Sequence, residues 1–204
     1  MSRDWLVKEN DTFIKICDRT IIENACAVFE YRKENDYSRM IHKLKFSYEK
    51  KALFDLGSFI GNKLYDETHW LADIDLIIPV PLHKFRKLKR GYNQSEEFSR
   101  GLNETFGKEI DSTSIIRSKY RKAQVKTSSF EERWTNAENL FSVVDKENLE
   151  GKHILIVDDV ITTGATVISL IEAIKESVSD VKIYVLALSS TKKVVKTIAT
   201  GTEY

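Results

Sequence analysis

"HILIVDDVITTGATVISLIEAIKESVSDVKIYVLAL", residues 153–188, carries the pattern from which the fold follows. "HILIV" (153–157) is a continuous apolar run of strand length, as expected for a strand buried on both faces. "GATVISLIEAIKESV" (164–178) sets Ile168, Ile171, Ile174 and Val178 on one helical stripe, and "VKIYVLAL" (181–188) supplies a second apolar strand. Strand, helix and strand with short connections make a βαβ unit, so the spacing predicts an α/β fold with a largely parallel sheet. Ligands of such sheets bind beyond the carboxyl ends of the strands. There the sequence places Asp158 and Asp159, immediately beyond the expected strand, and then a small, hydroxyl-rich turn.

That turn has the chemistry of an anion cradle. A helix N-terminus presents unpaired N–H groups and about half a positive charge, so Thr162, Thr163, Gly164, Ala165 and Thr166 can surround a phosphate with amides and hydroxyls. Gly164 lets the backbone approach closely. Two carboxylates beside a phosphate repel it unless they face something else, and ribose hydroxyls or a hydrated Mg²⁺ are suitable partners. The combination describes a phosphorylated sugar. The plain alternative is a helix cap followed by an ordinary turn. A Walker loop is excluded, because no lysine follows the glycine.

Outward from this unit, "ACAVFEY" (25–31) reads as a strand within an N-terminal region that otherwise has little pattern. From Ser38, Ile41, Leu44, Tyr48, Ala52, Leu56, Ile60 and Leu64 recur at helical steps, with a break expected near Gly57. "DLIIPV" (75–80) reads as a short buried strand ended by Pro79 and Pro81, and "NQSEEFSRGLNETF" (93–106) as a helix with Phe98, Leu102 and Phe106 on one stripe. The polar stretch 111–140 reads as a loop or hairpin able to close over a bound anion and exclude water. No repeat or linker divides the chain; the expected organisation is an N-terminal extension at 1–36, packed on a core domain at 37–204.

"HKFRKLKR" (83–90) holds five Lys/Arg in eight positions directly after the strand that ends at Val80. Arg86 and Arg90, four residues apart, can receive an anionic leaving group from one face of a turn or helix. A solvated basic face is the bland alternative, and a nucleic-acid track with Phe85 and Tyr92 as stacking platforms is another. His83 fits either a helix start or a catalytic role.

Composition bounds the choices. The chain has 204 residues, 42% hydrophobic and 31% charged, with 32 Lys and Arg against 31 Asp and Glu. A net charge of +1 argues against a strongly basic nucleic-acid binder and against an acidic solvating chain. Cys17 and Cys26 match no zinc or redox spacing and are expected as reduced thiols. No signal peptide is visible and no run reaches the roughly 18 apolar residues of a membrane span. A soluble, cytoplasmic protein without membrane insertion is expected.

With these residues in view, "ILIVDDVITTGAT" (154–166) resembles the phosphoribosyl pyrophosphate (PRPP) signature of type I phosphoribosyltransferases. "IIPVPLHKFRKLKRGYNQS" (77–95) is similar to the proline-rich strand end and R-x3-RG-[FY]-NQ motif of the ComF subgroup. Arg117, Gln124, Arg133, Asn136 and Phe141 meet its R-x6-Q-x8-R-x2-N-x4-F run, and "HKLKF" (42–46) extends the likeness to roughly residues 25–190. Many members begin with a cysteine-rich zinc module. This chain departs from that pattern, so no zinc is expected.

The resemblance implies a type I phosphoribosyltransferase-like fold, a parallel-rich central sheet flanked by helices. It implies that 162–166 hold the 5′-phosphate of PRPP, Asp158 and Asp159 the ribose hydroxyls, and Val80, Pro81, Leu82 and His83, with Arg86 and Arg90, the pyrophosphate. Arg117, Gln124, Arg133 and Asn136 would belong to the closing loop. Mg²⁺ would arrive with PRPP rather than in a metal site of the protein's own, with Asp158 and Asp159 as the carboxylates in reach. The activity implied is phosphoribosyl transfer to an unidentified acceptor with release of pyrophosphate. The ComF likeness also implies the alternative of a non-catalytic competence factor that binds single-stranded DNA or DNA-uptake proteins. A PRPP-sensing regulator is a third option, and a homodimer is a common state in the family.

Overall fold

The structure is a computed structural model in which residues 6–31, 50–118 and 140–192 are described. Its centre is a five-stranded, all-parallel sheet. In chain order the strands are β1 (Asn24–Tyr31), β2 (Leu76–Pro79), β3 (Glu109–Ile110), β6 (His153–Ile161) and β7 (Lys182–Thr191), and across the sheet the order is β1-β7-β6-β2-β3. A separate antiparallel pair joins β4 (Ile115–Arg117) to β5 (Phe141–Val143), at the two ends of the polar stretch expected as a loop or hairpin.

The apolar runs of β6 and β7 bury both of their faces. Ile154, Ile156, Ile183 and Val185 face a core with Ile168, Ile171 and Ile174 of helix α5 (Ala165–Ser177) and Ile16 of helix α1 (Asp11–Cys17). The alternate residues Leu155, Val157, Leu186 and Leu188 face helices α2 (Lys50–Glu67) and α4 (Gln94–Phe106) through Leu53, Ile60, Leu64, Phe98 and Leu102. Strands covered on both sides have no polar face to show, which is why they read as unbroken hydrophobic sequence.

Two boundaries differ from expectation. Gly57 does not break α2, which runs unbroken through it. It is a contact point: a Cβ on Gly57 would stand 2.4 Å from the Phe98 carbonyl oxygen, and one on Gly101 2.0 Å from that of Phe54. Gly57 and Gly101 facing each other, with Gly61 beside them, where a Cβ would stand 2.9 Å from the Leu102 carbonyl oxygen, let α2 and α4 lie this close. The second difference is the end of β6, which continues past Val157 to Ile161 because Asp158, Val160 and Ile161 stay in register with Ala187, Ser189 and Ser190 of β7. Asp158 and Asp159 therefore sit on the strand rather than after it, just beyond the last rung shared with β2, Pro79↔Val157.

The segment expected as an N-terminal extension supplies α1 and β1, the latter an edge strand paired with β7 from Asn24↔Tyr184 to Tyr31↔Thr191. Ile41, Leu44, Tyr48 and "HKLKF" lie outside the described residues. Among the described residues no helix is long and apolar enough to cross a membrane.

Candidate functional site

The chain leaves β6 toward β7 on one side, while β2 leads to β3 on the other, so the strand order reverses between β6 and β2. Open α/β sheets bind ligands at the carboxyl ends of the strands flanking such a reversal. A cleft of about 160 Å³ opens there. Its walls bring together Val80, Pro81 and Leu82 after β2, Arg86 and Arg90 from the short helix α3 (Lys84–Arg90), Arg117 from β4, Asp158 and Asp159 from β6, and Thr166 from the first turn of α5. Nine of the residues singled out from sequence thus line one cavity. Asn93, Gln94 and Ser95, which sequence reasoning did not assign to the site, line it as well.

The two acids are held differently. Asp158 is buried; its Oδ1 accepts the Asp159 N–H at 2.8 Å and the Ser95 hydroxyl at 3.5 Å. Asp159 is half-buried on the cleft wall. Ribose hydroxyls, as donors, suit both carboxylates. Among the described residues no group of three or more His, Cys, Asp or Glu side chains could enclose a metal. Mg²⁺ does not need such a cage, since it commonly takes one or two carboxylates and completes its shell with substrate phosphates and water. Asp159, with Asp158 behind it, fits that limited demand.

The cradle lies beside the cleft. Gly164 is the N-cap residue of α5 with φ +83°, a left-handed conformation natural to glycine, and no side chain caps the helix. The Ala165 N–H reaches only the Thr163 hydroxyl, at 3.4 Å. Thr162 is exposed and Thr163 half-buried, while Thr166 reaches the cleft wall. An uncapped helix N-terminus of this kind is an anion site in waiting.

Behind the cradle stands Lys15, which no sequence signal marked. Its Nζ donates to Ser190 Oγ at 3.1 Å, Thr191 Oγ1 at 3.1 Å and the Thr191 carbonyl, and Thr191 Oγ1 in turn donates to the Thr162 carbonyl at 2.9 Å. A Cβ on Gly164 would stand 3.6 Å from the Lys15 Cγ. Burial lowers the Lys15 pKa to about 8, with the nearby Asp11 charge pulling the other way. Helix α1 is thereby tied to the 162–166 loop.

His83 has a structural place. It is the N-cap of α3, its Nδ1 accepting the Phe85 N–H at 3.3 Å, and its ring stacks on Phe85 rather than lining the cleft. Partial desolvation, then the charges of Arg117, Arg86 and Lys84, holds its pKa below the usual histidine value, which keeps Nδ1 available as an acceptor. Tyr92, a possible stacking platform by sequence, is buried against the α2/α4 core; Phe85 is exposed. Gln124, Arg133 and Asn136 lie outside the described residues.

Comparison with known protein families gives the class of this fold and site. Residues 76–200 match the phosphoribosyl transferase domain, and the chain belongs to that family. It is similar to competence protein F of Haemophilus influenzae, 34% identical over 122 residues, 59% of this chain and 53% of that protein. It is likewise similar to the DNA utilization protein YhgH of Escherichia coli O157:H7, 34% identical over 132 residues, 64% of this chain and 57% of that protein. The chain thus spans somewhat more than half the length of these relatives. Among solved structures, glutamine PRPP amidotransferase from B. subtilis is 20% identical with a TM-score of 0.42, over 67% of this chain and 26% of that one.

Proposed function

We propose that the protein binds PRPP with Mg²⁺ in the cleft between β2 and β6 and transfers the phosphoribosyl group to an acceptor, releasing pyrophosphate. One observation carries the reading: an acidic pair, an uncapped helix N-terminus and three arginines converge on one cavity at the reversal of strand order. Each component answers one part of PRPP. The amides and hydroxyls at 162–166 receive the 5′-phosphate, Asp158 and Asp159 the ribose hydroxyls, and Arg86, Arg90 and Arg117 the pyrophosphate.

Displacement at the anomeric carbon breaks the bond to the pyrophosphate oxygen and forms one to the acceptor, through an oxocarbenium-like state. No side-chain nucleophile is required. The protein's task is to hold the sugar, stabilise negative charge on the departing group and exclude water. The carboxylates of Asp158 and Asp159 also stabilise the positive charge that develops on the ribose. Mg²⁺ arriving with the substrate would supply neutralisation of phosphate charge, and Asp159 would be the carboxylate to hold it.

Calorimetric titration tests this with PRPP, with and without Mg²⁺, on the wild type and on Thr163→Ala. Saturable Mg²⁺-dependent binding, weakened by the variant, is the expected result, to be followed by acceptor screening through pyrophosphate release. Absence of binding at millimolar PRPP would reject the proposal.

A second reading is favoured by α3 alone. Phe85 and Leu88 are exposed beside Lys84 and Lys87, a basic surface with an aromatic platform that suits single-stranded nucleic acid. The names of the relatives, competence protein F and DNA utilization protein, point the same way. In that case the log of affinity for single-stranded DNA falls linearly with the log of salt concentration, and Phe85→Ala weakens binding.

A further inference from the structure

The 162–166 loop takes its anchor from outside the region that matches the family. Helix α1 precedes residues 76–200, yet a Cβ on Gly164 would meet the side chains of Lys15 at 3.6 Å and Ile16 at 3.9 Å. α1 is itself fixed to the sheet. Its N-cap, Asn10, accepts the Thr12 and Phe13 N–H groups at 3.0 Å and donates to the Ala25 carbonyl of β1 at 2.6 Å. Lys15 is therefore delivered to the loop by a seated element.

The hydrogen bonds around Lys15 can run in one direction only. A lysine ammonium has three donors and no acceptor, and three acceptors meet it: Ser190 Oγ at 3.1 Å, Thr191 Oγ1 at 3.1 Å and the Thr191 carbonyl. Because Thr191 Oγ1 accepts from Lys15, the single proton of its hydroxyl is committed to the Thr162 carbonyl, at 2.9 Å. The Thr162–Thr163 peptide is trans, and in a planar trans peptide the C=O and N–H point opposite ways. Holding the Thr162 carbonyl on β7 thus sends the Thr163 N–H away from β7. That orientation decides whether the loop attracts an anion, since an N–H turned to a phosphate binds it and a carbonyl repels it.

We infer that Lys15 and Thr191 are positioning residues of the 5′-phosphate site, locking the Thr162–Thr163 peptide with its N–H toward the anion, so that helix α1 completes a site of the family domain from outside it. This rests on the PRPP reading above and deepens it. Charge enters with geometry, because a neutral amine has one donor fewer than the three acceptors require. Burial already brings the Lys15 pKa to about 8. Of the charged groups on the elements around it, Asp11 of α1 acts on it and favours the ammonium; Glu30 of β1 and Lys192 after β7 pair with each other at 3.8 Å, and Asp158 and Asp159 of β6 line the cleft. A phosphate in the cradle favours the ammonium further, so affinity should fall as pH rises through the Lys15 pKa.

The test separates the two ends of the substrate. Ribose 5-phosphate, and inorganic pyrophosphate with Mg²⁺, are titrated calorimetrically into the wild type, Thr191→Val, Thr191→Ser and Lys15→Met, with a thermal melt of each. Thr191→Val deletes the relay at nearly constant volume and leaves the ammonium in place. It should weaken ribose 5-phosphate about fivefold, as for loss of one hydrogen bond, and leave pyrophosphate within about twofold. Thr191→Ser keeps the hydroxyl and should bind like the wild type. From pH 8 to pH 10, above the phosphate's second pKa of about 6, the wild type should lose affinity for ribose 5-phosphate and Lys15→Met should show no such step. A merely structural role would shift the melts without separating the two ligands or Ser from Val. If the wild type binds both ligands, and Thr191→Val and Lys15→Met bind ribose 5-phosphate as well as it does, the relay is refuted and the cleft assignment stands. Equal losses for both ligands refute it too. A wild type that binds neither ligand overturns both readings.

Discussion

Asp158 and Asp159 are neighbours in sequence and unequal in surroundings. Asp158 is buried, and its oxygen serves Ser95 and the following amide. Asp159 stands half-exposed on the cleft. Asp159→Asn is therefore expected to keep the fold and lower PRPP affinity or turnover by tenfold or more, on the order of the ~1.4 kcal/mol that a lost charge-assisted contact carries. Unchanged kinetics in a variant with a normal melting curve would remove Asp159 from the site. Lys15 gives a pH-dependent prediction. Its folded pKa of about 8 lies below the unfolded lysine value of about 10.4, so between these limits the unfolded chain holds more protons and folding stability rises with pH. Relative to Lys15→Met, the wild type should gain melting temperature from pH 8 to pH 10, and a constant difference would show that the buried charge is not felt. Neither residue's environment was legible in sequence. A doublet of aspartates gives no hint that one turns inward, and Lys15 owes its place to strand β7, more than 170 residues away in the chain.

At the scale of elements, what was readable was what obeyed a period. β6, α5 and β7 were legible because each is apolar on every face that the sheet and its helices cover. The end of β6 was not, because two acids look like the end of a strand; the ladder to β7 carries them on to Ile161. The glycine in α2 was misread as a breaker because its partner, Gly101, is distant in sequence and no periodicity announces a helix crossing. α1 and the two-residue β3 were missed, being too short for any pattern to accumulate. The glycine contact is testable. Gly101→Ala forces a methyl group to 2.0 Å from the Phe54 carbonyl. Because backbone cannot swing aside, the cost should exceed the ~1–3 kcal/mol typical of overpacking, measured by urea denaturation with the slope unchanged. A loss below about 1 kcal/mol would mean that α2 and α4 can separate freely.

For the molecule as a whole, the N-terminal segment closes the sheet rather than decorating it. β1 pairs along β7, and α1 places Ile16 in the core and Lys15 behind the 162–166 loop. Deleting residues 1–31 would bare the edge of a 10-residue strand whose residues are almost all buried. The truncated chain should aggregate under conditions where the full chain stays dispersed, as read by light scattering; a monodisperse product would show that β7 tolerates a free edge. Glycines 57 and 101 have a consequence of a genetic kind. α4 begins at Gln94, about 10 Å along the helix from Gly101 at 1.5 Å per residue, so the contact that seats α4 also aims its first turn at the cleft. A random-mutation screen for clones that lose PRPP binding should therefore recover alleles at these glycines beside those in the cleft, and the glycine alleles, unlike the cleft ones, should also be markedly less stable.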